Sequence, residues 1–519
     1  MKPLLYLITV ILVAGCTNLP RHNETHEEFA ALDVVMLEAS ELVNPTQDAS
    51  GKGPILKLAT SDPLKTLIKA ELDTPFGLLI RQLDALSRQY QDTANTCPQL
   101  NNKTLLFLSS EDGGFAREGF WFQQDGRDLV YCDLLYVDMT VSAKDISNGR
   151  FLEIFAHEMG HVFMRRIKGE VSPSPSSRFH NVFAITDYQT AFDEGFGIYF
   201  QTLAAVFFDS TGFRARIEGR VSPTGAEQWF SNIDGRERIS GVMHNKHAFE
   251  KELPPNLDPL TNYHHEGISA SYGNKLKNAQ AVLSSEGVIA TLFYRLATAP
   301  DLSAIEPSDD NWRAKAINHH KMLFELLAES DWQKDKSPYI QLLEELKTTN
   351  PDYAKNAIKS FLHTTYTTTV DKTTAEKLQA LLNAGHQGDI ERFIEQYSVT
   401  PKSIEVITEK IINNQLSLTQ ELGKPIWLLQ PDVTFPHAPW GGIEVPLTVN
   451  LNMATRAELM LLVIFSESEV KELLNERNNN GPFMDLEDAN KRLQLTTETF
   501  SALKKLERLH EQYQGTARE

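Results

Sequence analysis

The chain is poor in positive charge, and this limits the functions it can have. It carries 50 Lys and Arg against 69 Asp and Glu, a formal net charge of −19 at pH 7. Broad binding of nucleic acid needs a basic surface, so the charge balance argues against that class of protein. The sequence also lacks long repeats and low-complexity tracts, and no segment beyond the N-terminus reads as a transmembrane helix. Its 519 residues, 41% of them hydrophobic, suffice for two to four ordinary globular domains.

The N-terminus reads as an export signal. One lysine precedes an apolar run over residues 4–14, which is too short to span a bilayer comfortably and has the proportions of a secretory signal. Val13-Ala14-Gly15-Cys16 resembles the bacterial lipobox. The resemblance implies that residues 1–15 are a signal peptide and that Cys16 is lipidated. The polar, mixed composition that follows predicts that residues 16–55 are a tether between the lipid and the folded body. Thr17 and Asn18 follow rather than an aspartate, so we expect an outer-membrane lipoprotein facing the periplasm. The alternative is a short anchor helix with an incidental cysteine.

Cysteine is scarce. If Cys16 carries lipid, only Cys97 and Cys132 remain, an even number in an oxidising compartment. This favours a disulfide between them over two buried free thiols. Such a bridge would close a loop of about 35 residues and contribute about 3–4 kcal/mol in the chain-entropy model.

Apolar periodicity and turn residues divide the rest of the chain. Helical spacing over residues 64–90 is followed by strand-like runs at 104–110, 119–124 and 128–141, and then by a helix that ends before Gly169, a C-cap. Mixed strands leading into helices predict an α+β fold. We expect a core over residues 56–300, a helical subdomain over 301–423, a proline-rich connector over 424–446 and a separate unit over 447–519.

The stretch His157-Glu158-Met159-Gly160-His161 has the spacing of a metal site. Residues four apart lie on one face of a helix, so the two imidazoles can bind one zinc ion through bonds of about 2.0–2.1 Å. Glu158, beside the first histidine, can take a proton from a metal-bound water without binding the metal itself. The alternative is an ordinary helix with two histidines.

A catalytic zinc needs a third protein ligand and one open position. A metzincin-like pattern is excluded because Met164 and Ile167 stand where it needs glycine and histidine. Asp193-Glu194-Gly195, by contrast, lies on the next predicted helix and resembles the gluzincin clan of metallopeptidases. The resemblance covers about residues 100–300.

The gluzincin resemblance implies a zincin-like fold with Glu194 as the third ligand of a single Zn²⁺ ion. Asp193 would orient a histidine from behind the metal. Small residues at Gly195 and Gly197 would let the two helices approach closely. His180 and Asp187 are the spare ligand candidates.

The donor that stabilises the oxyanion of the reaction stays open. Our first choice is His264, which lies in a polar stretch without apolar periodicity. The other candidates are Tyr199, Tyr263, His265, Tyr272, Tyr294 and Arg295.

The C-terminal unit resembles the helix-hairpin-helix domain of competence-type DNA receptors and of a minor pseudopilin of type II secretion. The matching residues are Val449, Asn450, Asn452, Ala454, Thr455, Glu458, Leu459, Gly481-Pro482-Phe483 and Leu486-Glu487-Asp488. Both hairpins, however, lack the glycines whose backbone contacts phosphate in that family. Residues 446–519 also carry 9 Lys and Arg against 12 Asp and Glu. We therefore expect a packing or protein-docking module, with DNA binding as the weaker alternative.

These features predict a zinc-dependent peptidase, anchored by lipid in the bacterial envelope, that acts on a peptide or protein substrate. The second hypothesis is a non-catalytic envelope lipoprotein that binds a protein partner. A third and weaker one is a lipoprotein for DNA uptake.

Overall fold

The structure is a computed structural model, which describes residues 33–42, 53–60, 63–91, 97–111, 113–124, 128–169, 174–176, 178, 180–208, 238–252, 271–333, 335–435 and 443–516. It belongs to the α+β class, as the sequence predicts. The strands are β1 Val34–Ala39, β2 Ile55–Leu58, β3 Thr104–Leu108, β4 Gly114–Gln123, β5 Leu129–Met139, β6 Phe249–Glu252, β7 Ser271–Leu276, β8 Trp427–Phe435 and β9 Ile443–Asn450.

The described helices are α1 Pro63–Leu72, α2 Pro75–Ser87, α3 Ala143–Ser147, α4 Arg150–Lys168, α5 Tyr188–Phe207, α6 Ala279–Leu283, α7 Glu286–Thr298, α8 Trp312–Glu329, α9 Pro338–Thr349, α10 Pro351–Thr364, α11 Lys372–Gln387, α12 Ile390–Ile412, α13 Arg456–Leu461, α14 Glu467–Asn480, α15 Leu486–Leu493 and α16 Thr497–Thr516. Within the described part of the chain, none of them has the length and apolarity needed to cross a membrane.

Strands β1 to β5 close into a small mixed barrel in the order β1-β2-β4-β5-β3. Alternate residues of each strand face opposite ways, so Leu106 and Val137 pack against the helices, while Leu105 and Tyr136 belong to a second apolar cluster. Cys97 and Cys132 lie in that second cluster and are joined by a disulfide, with Cα atoms 5.5 Å apart. The barrel therefore presents one apolar face to α2 and α4.

The expected tether over residues 16–55 is wrong at residues 34–39 and at residue 55, which belong to strands. Val34–Ala39 forms β1, which pairs in parallel with β3 some seventy residues later in the chain. Ile55 begins β2, which pairs with β1 and with the end of β4. A short apolar run among polar residues becomes a strand here because distant partners exist for it, and local pattern does not reveal such partners.

The helices over residues 301–423 do not form the separate subdomain that we expected. One continuous apolar core runs from Ile68 to Leu422 and includes the buried faces of α4 and α5. Phe324 of α8, for example, lies 5.7 Å from Phe163 of α4 between ring centroids. Periodicity shows that a helix buries one face, but the partner of that face is decided in three dimensions.

The expected connector over residues 424–446 is wrong as well. Most of it forms the hairpin of β8 and β9, whose side chains share a core with α13 to α16. Pro431 is accommodated because the register shifts between Gln430 and Val433, so the missing N–H falls at an irregularity. The C-terminal unit thus begins near Ile426.

Two tight connections in the C-terminal unit use left-handed backbone without glycine. Val463, between α13 and α14, has φ +56° and is 83% exposed, and Gln494, after α15, has φ +50°. A β-branched residue in this region is strained.

The C-terminal unit is fixed to the rest of the protein, because Arg178 forms a buried ion pair with Glu458.

Candidate metal centre

Helices α4 and α5 lie side by side, and glycines make the close approach possible. A Cβ atom at Gly160 would lie 3.0 Å from the Cα atom of Gly197. A Cβ atom at Gly197 would lie 3.0 Å from two ring atoms of His157 and 3.1 Å from Nε2 of His161. Helix α4 ends at Gly169, with φ +77°, as its C-cap residue. The sequence predicted the helix, its end and the need for a small residue at Gly197. The same prediction for Gly195 is wrong, because that residue faces α7, where its Cβ atom would lie 2.7 Å from Cβ of Ile289.

Three possible ligand atoms converge between these helices. Nε2 of His157 and Nε2 of His161 are 3.2 Å apart, and they lie 3.6 and 3.5 Å from Oε2 of Glu194. Ligands at about 2.0–2.1 Å from a tetrahedral zinc ion would be about 3.3–3.4 Å from one another. The donors are two imidazoles and one carboxylate, so this group fits a divalent cation of the zinc type.

The electrostatics around the group also suit a cation. Burial opposes the charged form of His161, but the carboxylates of Asp193 and Glu194 outweigh it and raise the pKa of His161 well above its ordinary value. Burial likewise opposes the charged form of Glu194, but His161, His157 and His180 hold the pKa of Glu194 well below its ordinary value. Oδ1 of Asp193 lies 3.2 Å from Nδ1 of His161, which directs Nε2 of that ring toward Glu194.

Glu158 is buried beside His157 and faces the start of β4. A Cβ atom at Gly114 would lie 3.1 Å from Oε1 of Glu158 and 2.6 Å from a methyl carbon of Ile154. Glycine at this position therefore leaves the space that the Glu158 carboxylate occupies. In the sequence Gly114 was only part of a turn-rich stretch, so nothing there distinguished its role.

The two spare ligand candidates have different places. Asp187 is the N-cap of α5, where its carboxylate accepts hydrogen bonds from Gln189 N and Thr190 N at 2.9 and 3.0 Å. His180 approaches the centre, with Nδ1 3.4 Å from Oε2 of Glu194. Hydrogen bonding to Glu194 raises the pKa of His180 to about 9.

Glu286 at the start of α7 is the acid that the sequence analysis missed. His180, Glu194 and Glu286 form a second group whose ligand atoms lie within 4.8 Å of one another. An acid in the first turn of an apolar helix is ordinarily explained by the helix dipole, so its position gave no signal of a site.

The oxyanion donor stays undetermined. The buried Tyr199 hydroxyl donates to Nε2 of His320 at 3.0 Å, and Nδ1 of His320 donates to the carbonyl of Ala316 at 2.6 Å. The Tyr199 hydroxyl is therefore already engaged in a buried hydrogen bond. Arg295 donates to Thr364 at 3.0 Å. His264, Tyr263, His265 and the lipidation candidate Cys16 lie outside the described residues, as does the side chain of Tyr272.

Comparison with known proteins finds no relative of this chain. No protein-family model matches the chain, and neither the curated proteins nor the solved structures give a match. The described residues thus define an α+β protein with two adjoining His/Glu groups that could hold a metal ion.

Proposed function

We propose that the protein is a zinc-dependent, gluzincin-like peptidase, and the observation that carries this is the convergence of His157, His161 and Glu194. Each donor pair is separated by 3.2–3.6 Å. Three protein ligands leave one of four positions open, which is the arrangement of a catalytic rather than a structural zinc site. Bound zinc would activate water and polarise a substrate carbonyl.

The chain's own residues divide the remaining tasks. Glu158 follows His157 directly and is the general base that accepts a proton from the attacking water and later delivers one to the leaving amine. Asp193 holds the His161 ring in the orientation that presents Nε2. Gly197 of α5 keeps the space in which both rings sit.

The proposal also covers the cellular location of the protein and the role of its C-terminal unit. The apolar run before Cys16 supports export and lipid anchoring in the bacterial envelope, facing the periplasm. The acidic balance of residues 446–519 and the buried ion pair between Arg178 and Glu458 support a degenerate helix-hairpin-helix unit that packs against protein rather than DNA.

The test is the full-length protein with Glu158 replaced by Gln. We expect Glu158→Gln to retain wild-type zinc content and to lose peptide hydrolysis by at least about 100-fold, since general acid–base catalysis contributes about 10²–10⁴-fold. Activity is measured by mass spectrometry on a peptide library, and zinc by elemental analysis.

Glu153→Gln is the matched control, because Glu153 is also buried on α4 but accepts a hydrogen bond from Gln201. It should lower the melting temperature and leave the rate per folded molecule unchanged. Wild-type rates in Glu158→Gln, or metal retained without turnover of any peptide by the wild type, would falsify the peptidase mechanism.

A further inference from the structure

A second group of possible ligands adjoins the first and shares Glu194 with it. Its members are His180, Glu194 and Glu286, and their ligand atoms all lie within 4.8 Å. Among the described residues, His180 groups with the two carboxylates and not with His157 and His161. The two groups thus share Glu194 and differ in their other members.

Backbone pairing holds this second group together. Ile185 and Ser285 form an antiparallel bridge, Thr186 N donates to Ser284 O at 2.9 Å, and Gly287 N donates to Val182 O at 3.3 Å. The segment that carries His180 is thus pinned along the start of α7, where Glu286 stands. This pairing brings the backbone of the segment that carries His180 close to Glu286.

Glu286 is a deeply buried acid in the same group as Glu194. It is 1% exposed, and its Oε1 atom has no hydrogen-bond partner among the residues that the structure describes. Arg238 acts on Glu286 through its charge, and it donates a hydrogen bond to Gln201 at 2.9 Å. A buried carboxyl oxygen without a partner is costly unless an ion or a proton satisfies it.

We propose that His180, Glu194 and Glu286 bind a second divalent cation, with Glu194 bridging it to the cation held by His157 and His161. One imidazole and two carboxylates suit Zn²⁺, and hydrolases with two metal ions hold them about 3.5–4 Å apart. This inference deepens the proposed peptidase function, because it makes the centre dinuclear, and it rests on the first metal position.

The experiment counts zinc per chain in the full-length protein. Each variant is loaded with Zn²⁺ alone, freed of excess ion by gel filtration and analysed by mass spectrometry of the metal. We expect two ions per chain in the wild type and in the control Glu153→Gln, and one in Glu286→Gln and in His180→Asn. Glu194→Ala should hold neither ion, because its carboxylate serves both positions. Crystals should show two anomalous peaks at the zinc edge, on either side of Glu194.

Folding is checked by circular dichroism, and His180→Asn is the safer variant because the His180 side chain is 59% exposed. One ion in the wild type overturns the inference. So does a second ion that persists in both folded variants, since it would then be an adventitious surface ion. One ion with peptide hydrolysis leaves the peptidase proposal standing and removes the second site. Two ions without peptide hydrolysis would support the second site and overturn the peptidase proposal.

Discussion

Gly197 on α5 offers a sharp test of the first metal position, because the two histidine rings lie where a side chain at residue 197 would be. Gly197→Ala would place a Cβ atom 3.0 Å from Cε1 and Nε2 of His157 and 3.1 Å from Nε2 of His161. Ordinary carbon contacts begin near about 3.5 Å, so both rings must retreat by about 0.4 Å. Metal–ligand distances tolerate only about ±0.2 Å.

The expected result is a selective loss of zinc affinity. Displacing two of the three proposed ligands should weaken binding about 10–100-fold, the range found when the supports of metal ligands are altered. That is about 1.4–2.8 kcal/mol. Alanine is about 1 kcal/mol better than glycine inside a helix, which offsets part of the clash in the metal-free protein. The melting temperature without metal should therefore change little, while the increase caused by zinc shrinks.

Affinity is measured by competition with a chromophoric chelator, and stability by thermal unfolding with and without Zn²⁺. Gly195→Ala is the matched control, because its Cβ atom would lie 2.7 Å from Cβ of Ile289 and 2.9 Å from Glu286 O. It should lower the melting temperature in both conditions, since it separates α5 from α7. Wild-type zinc affinity in Gly197→Ala would refute the placement of the two rings against α5.

Two further predictions concern stability. Burial lowers the pKa of His320 to about 4, whereas in the unfolded chain its pKa is about 6.5. The unfolded state therefore binds more protons between these values, and stability should fall by about 3 kcal/mol as pH drops from 6.5 to 4. Urea titrations across this range should show a shallower fall for His320→Gln, and equal slopes would contradict the assignment. Val463→Gly should raise the free energy of unfolding by about 0.5–1 kcal/mol, because it relieves left-handed backbone at φ +56° but makes the unfolded chain more flexible. An unchanged or lower value in urea unfolding would count against strain there.

The sequence by itself determined the helix of the His-Glu-x-x-His motif, its end at Gly169, and the spacing that puts two imidazoles on one face. These are local properties, because helix periodicity and capping act within a few residues. It also indicated Glu194 and Asp193, although only through resemblance to a family. The pairing of Cys97 with Cys132 was open to prediction because parity and compartment left few choices.

Tertiary structure alone decided the rest. Val34–Ala39 is a strand because β3 lies beside it, and the helices after residue 300 share the core of α4 and α5 because their apolar faces meet there. Glu286 stands beside Glu194 although it is 92 residues away in the chain, because a bridge between Ile185 and Ser285 brings the two segments together. Local pattern specifies which face of an element is buried, whereas the partner that covers it is selected by packing of the whole chain.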